Sequence, residues 1–449
     1  MRRIAALLTT ALLPIVFAGP SSAADPLTVV RIGAVVDQTG GSTSPLYRAA
    51  IELAGKQMND ALTRAKSPLR FELVFGDSKS NPPFAQQEAL RLINQEAVKA
   101  LVSDSSGVTV AINRLNYDAN SPAKSKVAIT CFQCSSSFIN DPKVTESDPA
   151  VQAAERDADN WLYRVFYAAK YEAATLVQIA LAKTKGVGDR ELKIAVFADG
   201  GHRALATAIE PTLPSFRKAP TQIAITYFTS LDNLAADWTK VMAANPDVAI
   251  VAMLPEAASA AIQAYRKGGY KTPLLSNNSF RRNYIVAQMG STADGIEGSS
   301  VTLVDKSASG TDFLKAFQAA TGKAPEMTSS GAYDSAVTLM LAALVAAGDA
   351  KNPAIVTAGG IRAGLGKLAD PKGAKIRPAV DSFAAAARTI GSGKPIHYYG
   401  AYHTLDWDSV GDMFPPLVRW TVEKGQFVER ELYRCDAAHP LCPVEGRTH

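Results

Sequence analysis

Two short loops rich in hydroxyl groups and glycine are the segments of this sequence best suited to hold a small solute. Residues 38–44, which include Ser42 and Ser44, follow one apolar run, and Ser105-Ser106-Gly107 follows another. Each loop precedes a predicted helix, and the free N–H groups at a helix start favour an anionic or carbonyl oxygen. Serines in such places also act simply as helix N-caps. Because both loops fall in the same half of the chain, we expect them to meet at one ligand site.

The motifs of common catalytic centres are missing from the sequence. The chain has neither a G-x-S-x-G elbow nor an H-E-x-x-H helix motif. Residues 364–368 and 391–394 carry glycine and lysine but lack the full phosphate-loop pattern, and none of the five histidines lies beside both a carboxylate and a nucleophile. We therefore predict a binding protein that is not an enzyme and has no catalytic residue, metal ion or cofactor.

The composition is that of an ordinary folded protein. The chain has 449 residues, of which 47% are hydrophobic and 20% are charged, and this length has room for two or three domains. The formal net charge is +5, and the basic residues are not concentrated in any run. A nucleic-acid-binding surface needs clustered basic residues, so we expect no nucleic acid partner.

The N-terminus has the layout of an export signal. Met1-Arg2-Arg3 is followed by an apolar run over residues 4–18 and by the small residues Ser21-Ser22-Ala23-Ala24. This order predicts a signal peptide over residues 1–24, cleaved on export to the periplasm. No later stretch approaches 18 apolar residues without a charge, so stable membrane insertion is not expected.

The export signal decides how the four cysteines are interpreted. An even number of cysteines in an oxidising compartment favours disulfides. We expect Cys435 and Cys442 to pair, because a metal site built from these two and His439 would have only three ligands. Cys131 and Cys134 either pair with each other or pair elsewhere.

Strands and helices alternate along most of the mature chain. Apolar, β-branched runs predict strands, and amphipathic segments between them predict helices. The predicted strands cover residues 29–36, 71–75, 100–102, 127–130, 162–166, 194–197, 223–228, 248–252 and 273–275. This alternation indicates parallel sheets with helices on both faces, and the number of units favours two lobes over one. A polar, loose insertion is expected at residues 140–160, and a β-rich tail at residues 398–405, 417–422 and 427–432.

Several segments, taken in order, carry a family resemblance. They are Ile32-Gly33-Ala34-Val35-Val36-Asp37-Gln38-Thr39-Gly40, Asn245-Pro246-Asp247-Val248, the helix and strand over residues 264–275, Ala332-Tyr333-Asp334, and residues 405–412. The chain resembles the type I periplasmic solute-binding proteins of ABC transporters, within the branched-chain amino acid and amide (leucine-binding protein-like) group. The resemblance implies an α/β fold of two doubly wound parallel-sheet lobes joined by a three-strand hinge.

The resemblance also implies the lobe limits and the partners. With crossings near Val165, Thr302 and Pro416, the N-terminal lobe comprises residues 25–165 and 302–416, and the C-terminal lobe residues 166–301 and 417–449. The lobes are expected to close on a small-molecule ligand and deliver it to an ABC permease and ATPase complex in the inner membrane. A ligand sensor that passes its bound state to a membrane receptor is the alternative.

Positions that match the family's binding loops give the expected site. Ser105, Ser106 and Gly107 fall on the loop that holds the ligand carboxylate. The remaining expected ligand-binding residues are Phe132 and Gln133 after the next strand, and His202, Arg203, Met253, Asn277 and Asn278 in the second lobe.

Two of these positions depart from the family pattern. Met253 stands where an aromatic residue is usual, and Asn277-Asn278 stands where an acid usually faces the ligand's ammonium. Burying an ammonium without a countercharge is costly, and Glu256 either supplies the missing anion or is only a helix N-terminal acid. Arg203 either favours a further anion or is solvated. An amino acid, an amide and a carboxylate without an amino group therefore all remain open as ligands.

Overall fold

The computed structural model describes residues 27–40, 44–302, 307–350 and 355–435. The predicted signal peptide, Ser42 and Cys442 lie outside the described residues.

The first sheet is formed by the N-terminal third of the chain. Its five strands are all parallel, in the order β2-β1-β3-β4-β5. The elements are β1 (Thr28–Val36), α1 (Pro45–Arg64), β2 (Leu69–Asp77), α2 (Pro82–Asn94), β3 (Ala100–Ser105), α3 (Ser106–Tyr117), β4 (Ala128–Gln133), α4 (Pro149–Arg156) and β5 (Leu162–Arg164). Ile32 and Ala34 face one apolar core and Val35 the other, so helices cover both faces of this sheet.

The second sheet is formed mainly by the middle of the chain. Its elements are α5 (Ala169–Lys183), β6 (Leu192–Ala198), α6 (Arg203–Thr212), β7 (Thr221–Tyr227), α7 (Leu234–Ala243), β8 (Val248–Ala252), α8 (Pro255–Lys267), β9 (Leu274–Ser276), α9 (Asn283–Met289) and β10 (Glu297–Val301). Ile194 and Val196 face one core, whereas Ala195 and Phe197 face the other. This alternation again places helices on both faces of the sheet.

The C-terminal third adds helices to the first sheet and strands to the second, and it forms a separate two-stranded sheet of its own. It contains α10 (Ala308–Thr321), α11 (Ser329–Ala350), α12 (Ala358–Leu365), β11 (Ala374–Ile376), α13 (Val380–Gly391), β12 (Ile396–Tyr398), β13 (Leu417–Glu423) and β14 (Gln426–Tyr433). Helices α11 and α13 pack on α1 of the first sheet, whereas β13 and β14 extend the second sheet to the order β14-β13-β10-β9-β8-β6-β7. We call the first sheet with α1–α4 and α10–α13 the first lobe, and the second sheet with α5–α9 the second lobe.

One helix in the described part of the chain has the length and apolar character of a membrane span. It is the Ser329–Gly348 stretch of α11, and 94% of its most apolar window is buried inside the protein. Its contacts with α1, β3 and β4 identify it as the central core helix of the first lobe.

All nine predicted strands are present, but two expectations about irregular segments are wrong. The expected strand over residues 398–405 ends at Tyr398, because the buried carboxylate of Asp334 accepts hydrogen bonds from the amides of Ala401 and Tyr402, at 2.9 and 2.8 Å. The 140–160 insertion is not a loose loop. It contains α4, which Asp148 caps by accepting from the amide of Ala150 at 2.8 Å.

The connections between the lobes are anchored by a buried ion pair. The chain leaves the first sheet after β5, leaves the second after β10, and enters it again at β13. Arg164, which is fully buried, donates from Nε to Asp412 Oδ1 at 2.7 Å. Its Nη1 donates to the carbonyl of Ser136 at 2.7 Å, and Asn140 donates to the same Asp412 oxygen at 2.8 Å. One carboxylate thus holds the first and last connections and the insertion together.

Candidate ligand-binding cleft

A cavity of about 290 Å³ lies between the two lobes, at the carboxyl ends of their parallel strands. Seven of the predicted site residues line it: Ser44, Ser105, Ser106, Gly107, Gln133, His202 and Asn278. The carboxyl ends of parallel strands are where open α/β sheets bind their ligands. Loops from both lobes therefore converge on one small cleft.

The two serine loops play different parts in the first lobe. Ser44 caps α1, since its Oγ accepts from the amide of Leu46 at 3.2 Å. Ser105 stands at the N-cap of α3 without a side-chain capping bond, and its hydroxyl has no partner among the residues described here. Ser106 Oγ accepts from the amide of Ser136 at 3.0 Å. The start of α3, with its unpaired first-turn amides and the Ser105 hydroxyl, is consequently the better acceptor site for a ligand oxygen.

A buried carboxylate near the end of β3, just before α3, joins the neighbouring loops by hydrogen bonds. Asp104 Oδ2 accepts from the amide of Asp37 at 2.7 Å and from the hydroxyl of Ser78 at 2.8 Å. Burial raises the pKa of Asp104, and these hydrogen bonds offset only part of that effect. The carboxylate links the ends of β1, β2 and β3, so it fixes the loops that form the floor of the cleft.

Gln133 is held in the cleft by two hydrogen bonds at the end of β4. Its Nε2 lies 2.9 Å from the hydroxyl of Tyr47 and 2.7 Å from that of Thr328. Cys131 and Cys134 on either side of it form a disulfide, which settles the local pairing left open by the sequence. Cys435 is also disulfide-bonded, but its expected partner, Cys442, lies outside the described residues.

His202 is fixed on the opposite wall of the cleft. Its Nδ1 lies 2.8 Å from Asp199 Oδ1, and its Nε2 lies 2.9 Å from Ser279 Oγ. Asp199 Oδ2 also accepts from the amide of Leu254 at 2.6 Å. Burial alone would raise the pKa of Asp199, but the bonds from His202 and Leu254 outweigh it and hold that pKa below its usual range. Asp199 therefore stays ionised and orients the imidazole.

An acid lies one layer behind Asn278, where sequence reasoning did not place one. Glu172 of α5 accepts from the amide and the side-chain Nδ2 of Asn278, at 2.7 and 3.0 Å, and from the Tyr167 hydroxyl at 2.8 Å. Burial raises the pKa of Glu172 despite these bonds. Both of its oxygens are engaged, so the acid positions Asn278 and does not face the cavity. The available sequence signal was that Glu172 is the only acid in α5.

Sequence reasoning also missed a group of second-lobe residues in the cleft. Arg282 donates to the carbonyl of Arg281 at 3.3 Å and contacts Met327 Sδ at 3.5 Å, and it has no ion pair within the described ranges. Leu254 and Tyr284 are 50% and 44% exposed, so they present apolar surface to the cavity. The Tyr284 hydroxyl donates to Glu256 at 2.7 Å. Glu256 is thus engaged beside the cleft and does not line it.

Four expected site residues lie away from the cavity surface. Phe132 is fully buried and packs edge-to-face on Tyr47 at 5.3 Å, because it points to the opposite side of β4 from Gln133. Met253 and Asn277 are also fully buried, and Asn277 Oδ1 accepts from the amide of Met253 at 3.4 Å. Arg203 faces a neighbouring groove. Within the part of the chain that the structure describes, no cluster of His, Cys, Asp or Glu is arranged to hold a metal ion.

Solved structures of similar proteins have the same division into two lobes. The leucine-binding protein of Thermotoga maritima has a TM-score of 0.66 at 16% identity, over 90% of this chain and 98% of its own. A branched-chain amino acid transporter substrate-binding protein of Streptococcus pneumoniae, solved with isoleucine, has a TM-score of 0.64 at 18% identity, over 91% and 100%. A Rhodopseudomonas palustris solute-binding protein of an ABC transporter, solved with 3,4-dihydroxybenzoic acid, has a TM-score of 0.64 at 15% identity, over 94% and 99%.

These solved structures establish the fold expected from the sequence, two α/β lobes of the type I periplasmic binding proteins. A search of curated protein sequences found no match. A family model described as periplasmic binding protein matches residues 29–383. The chain belongs to the periplasmic binding protein family.

Proposed function

We propose that this protein is the periplasmic solute-binding component of an ABC importer and that its ligand is a small carboxylate with an apolar or aromatic body. One observation carries the proposal. The open start of α3, where the Ser105 hydroxyl has no partner among the described residues, faces His202, Asn278 and Arg282 of the second lobe across a single cavity. A ligand in this cavity contacts both lobes at once.

The charges around the cavity favour an anionic group. First-turn amides of a helix and an arginine without an ion pair both bind carboxylate oxygens. His202 and Asn278 add polar groups whose orientation is already fixed by Asp199 and Glu172. Leu254 and Tyr284 supply the apolar surface that such pockets use for the body of a ligand.

The acids near the cavity argue against a tightly held ammonium. Glu172 has both oxygens engaged behind Asn278, and Glu256 is bound by Tyr284. Glu326 lines the cavity, but it is exposed to solvent. Because an exposed carboxylate pairs only weakly with a cation, a ligand without an amino group fits this cleft better than an amino acid. Another solute-binding protein of an ABC transporter from Rhodopseudomonas palustris was solved with benzoate, so benzoate and 3,4-dihydroxybenzoic acid are suitable test compounds.

The mechanism requires no chemical step. A ligand that contacts both lobes favours the closed arrangement by the difference between its affinities for the closed and open states. The closed protein would then dock on the ABC permease and ATPase complex and release its cargo. Lobe limits at residues 25–165 with 302–416, and 166–301 with 417–449, belong to this proposal, as does export by a signal peptide.

Calorimetric titration with benzoate, 3,4-dihydroxybenzoate, leucine and isoleucine tests the proposal. We expect at least one of the two aromatic carboxylates to bind more tightly than both amino acids. Arg282→Ala should weaken that carboxylate about tenfold or more, since a charge-assisted hydrogen bond contributes about 1.5–3 kcal/mol. Arg266→Ala is the matched control, because Arg266 lies on the outer end of α8 and contacts the carbonyl of Asp294. Unchanged carboxylate binding in Arg282→Ala would overturn the carboxylate assignment. So would tighter binding of either amino acid that Arg282→Ala weakens about tenfold, since that amino acid would then occupy the cleft.

A further inference from the structure

A second groove lies beside the cleft, on the other side of the start of α3. Its volume is about 510 Å³, and it shares Pro82, Ser106, Gly107 and Gly201 with the cleft. Helices α2, α3 and α4 of the first lobe form one wall, and the start of α6 in the second lobe forms the other. The groove thus adjoins the cleft, and its walls also come from both lobes.

One wall of the groove carries a buried carboxylate with one oxygen that is unpaired among the described residues. Glu155 of α4 is only 8% exposed, and its Oε2 has no hydrogen-bond partner among the described residues. Burial, with a smaller contribution from the charge of Glu146, raises its pKa to about 7. Leaving a buried acceptor unpaired costs about 1–3 kcal/mol, so the Glu155 side chain, which lines the groove, is a candidate for a ligand contact.

The opposite wall carries an unpaired cation. Arg203 is exposed at the start of α6 and has no ion pair within the described ranges. Arg114, which also lines the groove, differs because it pairs with Asp148 at 3.0 Å and with Asp118 at 3.7 Å. The groove thus presents, on facing lobes, an acid with one unpaired oxygen and an exposed cation that has no ion pair among the described residues.

The surface between these charges is largely apolar. It is formed by Pro82, Pro83, Val110, Phe138 and Val151. An occupant that satisfies the whole groove needs a positive group, a negative group and an apolar body.

We propose that this groove is a second solute site, for a zwitterionic amino acid with an apolar side chain. Its ammonium binds Glu155, its carboxylate binds Arg203, and its side chain lies on the apolar wall. The inference does not depend on which solute occupies the main cleft. Because the site spans both lobes, its occupant also favours closure, and by linkage it raises the affinity of the cleft for its own ligand.

Calorimetric titration with L-leucine at pH 8 tests the site. We expect a leucine-binding event that Glu155→Gln weakens about tenfold or more and that Arg282→Ala in the main cleft leaves in place. Arg203→Gln should weaken it about two- to fivefold, because Arg203 is exposed. Glu146→Gln is the matched control, because it removes an exposed carboxylate near Glu155. Isopentylamine and 4-methylpentanoate each carry only one of the two charges, so each should bind the groove about tenfold more weakly than leucine.

Two outcomes would overturn the proposal. One is leucine binding that is unchanged in both Glu155→Gln and Arg203→Gln; Arg203 is exposed, so the second variant gives a result even where the first folds poorly. The other is the absence of a separate leucine event, with both variants weakening the cleft ligand equally. That result would mean that Glu155 and Arg203 pair directly when the lobes close.

Discussion

At the scale of single residues, buried carboxylates differ in whether groups of the protein donate hydrogen bonds to both of their oxygens. Burial raises the pKa of Asp104, Glu155 and Glu172 alike. Asp104 and Glu172 accept several hydrogen bonds each and hold cleft loops in place, whereas one oxygen of Glu155 accepts none. The first two are therefore positioning groups for the cleft, and the third is the one with capacity left for a ligand.

The asparagine at position 278 is explained by the acid behind it. Asn278→Asp would place a second carboxylate against Glu172, and two like charges in a buried site disfavour ionisation of both. We expect the variant to lose about 3 kcal/mol of unfolding free energy at pH 8. The pKa values of both acids would be raised above their unfolded values, so the native state would bind more protons and the loss should shrink as the pH falls to 5.

Urea denaturation at the two pH values measures this effect. Asn283→Asp is the control, because Asn283 is exposed at the start of α9 and a negative charge there is tolerated at a helix N-terminus. Equal stability of Asn278→Asp and wild type at pH 8 would show that Glu172 does not restrict this position.

At the scale of elements, the connections between the lobes depend on the Arg164–Asp412 pair. Both side chains are buried, and removing one partner leaves the other charge uncompensated. Asp412→Ala should therefore lower the free energy of unfolding by about 3–5 kcal/mol in urea denaturation. The double variant Arg164→Met with Asp412→Leu leaves no uncompensated buried charge, so it should recover part of the lost free energy of unfolding. A single variant as stable as the wild type would contradict the assigned role.

Strands could be predicted from the sequence where their own residues form an apolar run. The nine strands from β1 to β9 are short apolar runs, and each was found. β10 was missed because its sequence, Glu-Gly-Ser-Ser-Val, has little β-propensity and becomes a strand only through pairing with β9 and β13. The expected strand over residues 398–405 is wrong because of a contact that is distant in sequence. Asp334 on α11 accepts hydrogen bonds from the amides of Ala401 and Tyr402.

The cleft was predictable from its first-lobe loops and less so from its second-lobe loops. Ser105 and Gln133 end β3 and β4, and Ser106 and Gly107 come directly after β3, so their place at the sheet edge follows from the strand order. Arg282, Leu254 and Tyr284 reach the cavity only because the second lobe lies opposite the first. No local pattern encodes that arrangement, and the same holds for Glu172, whose partner Asn278 is 106 residues away along the chain.

At the scale of the whole molecule, two sheets are joined by three connections, and the cleft and the second groove both lie between the lobes. Each lobe has helices packed on both faces of its sheet, and one apolar core continues from the first lobe into the second. Both cavities have walls from each lobe. Any occupant that contacts both walls acts on the same opening and closing equilibrium.

The motion itself is testable by small-angle X-ray scattering. A ligand at about 100 times its Kd stabilises the native state by about 2.7 kcal/mol, and the part of that energy that depends on both lobes shifts the population towards the closed form. We expect the radius of gyration to fall when the carboxylate identified by calorimetry is added. Arg282→Ala should need a correspondingly higher concentration to reach the same radius, whereas Arg266→Ala should follow the wild type. A tightly bound ligand that leaves the radius unchanged would show that the lobes are already closed or do not move, and closure would not be the signal that a permease reads.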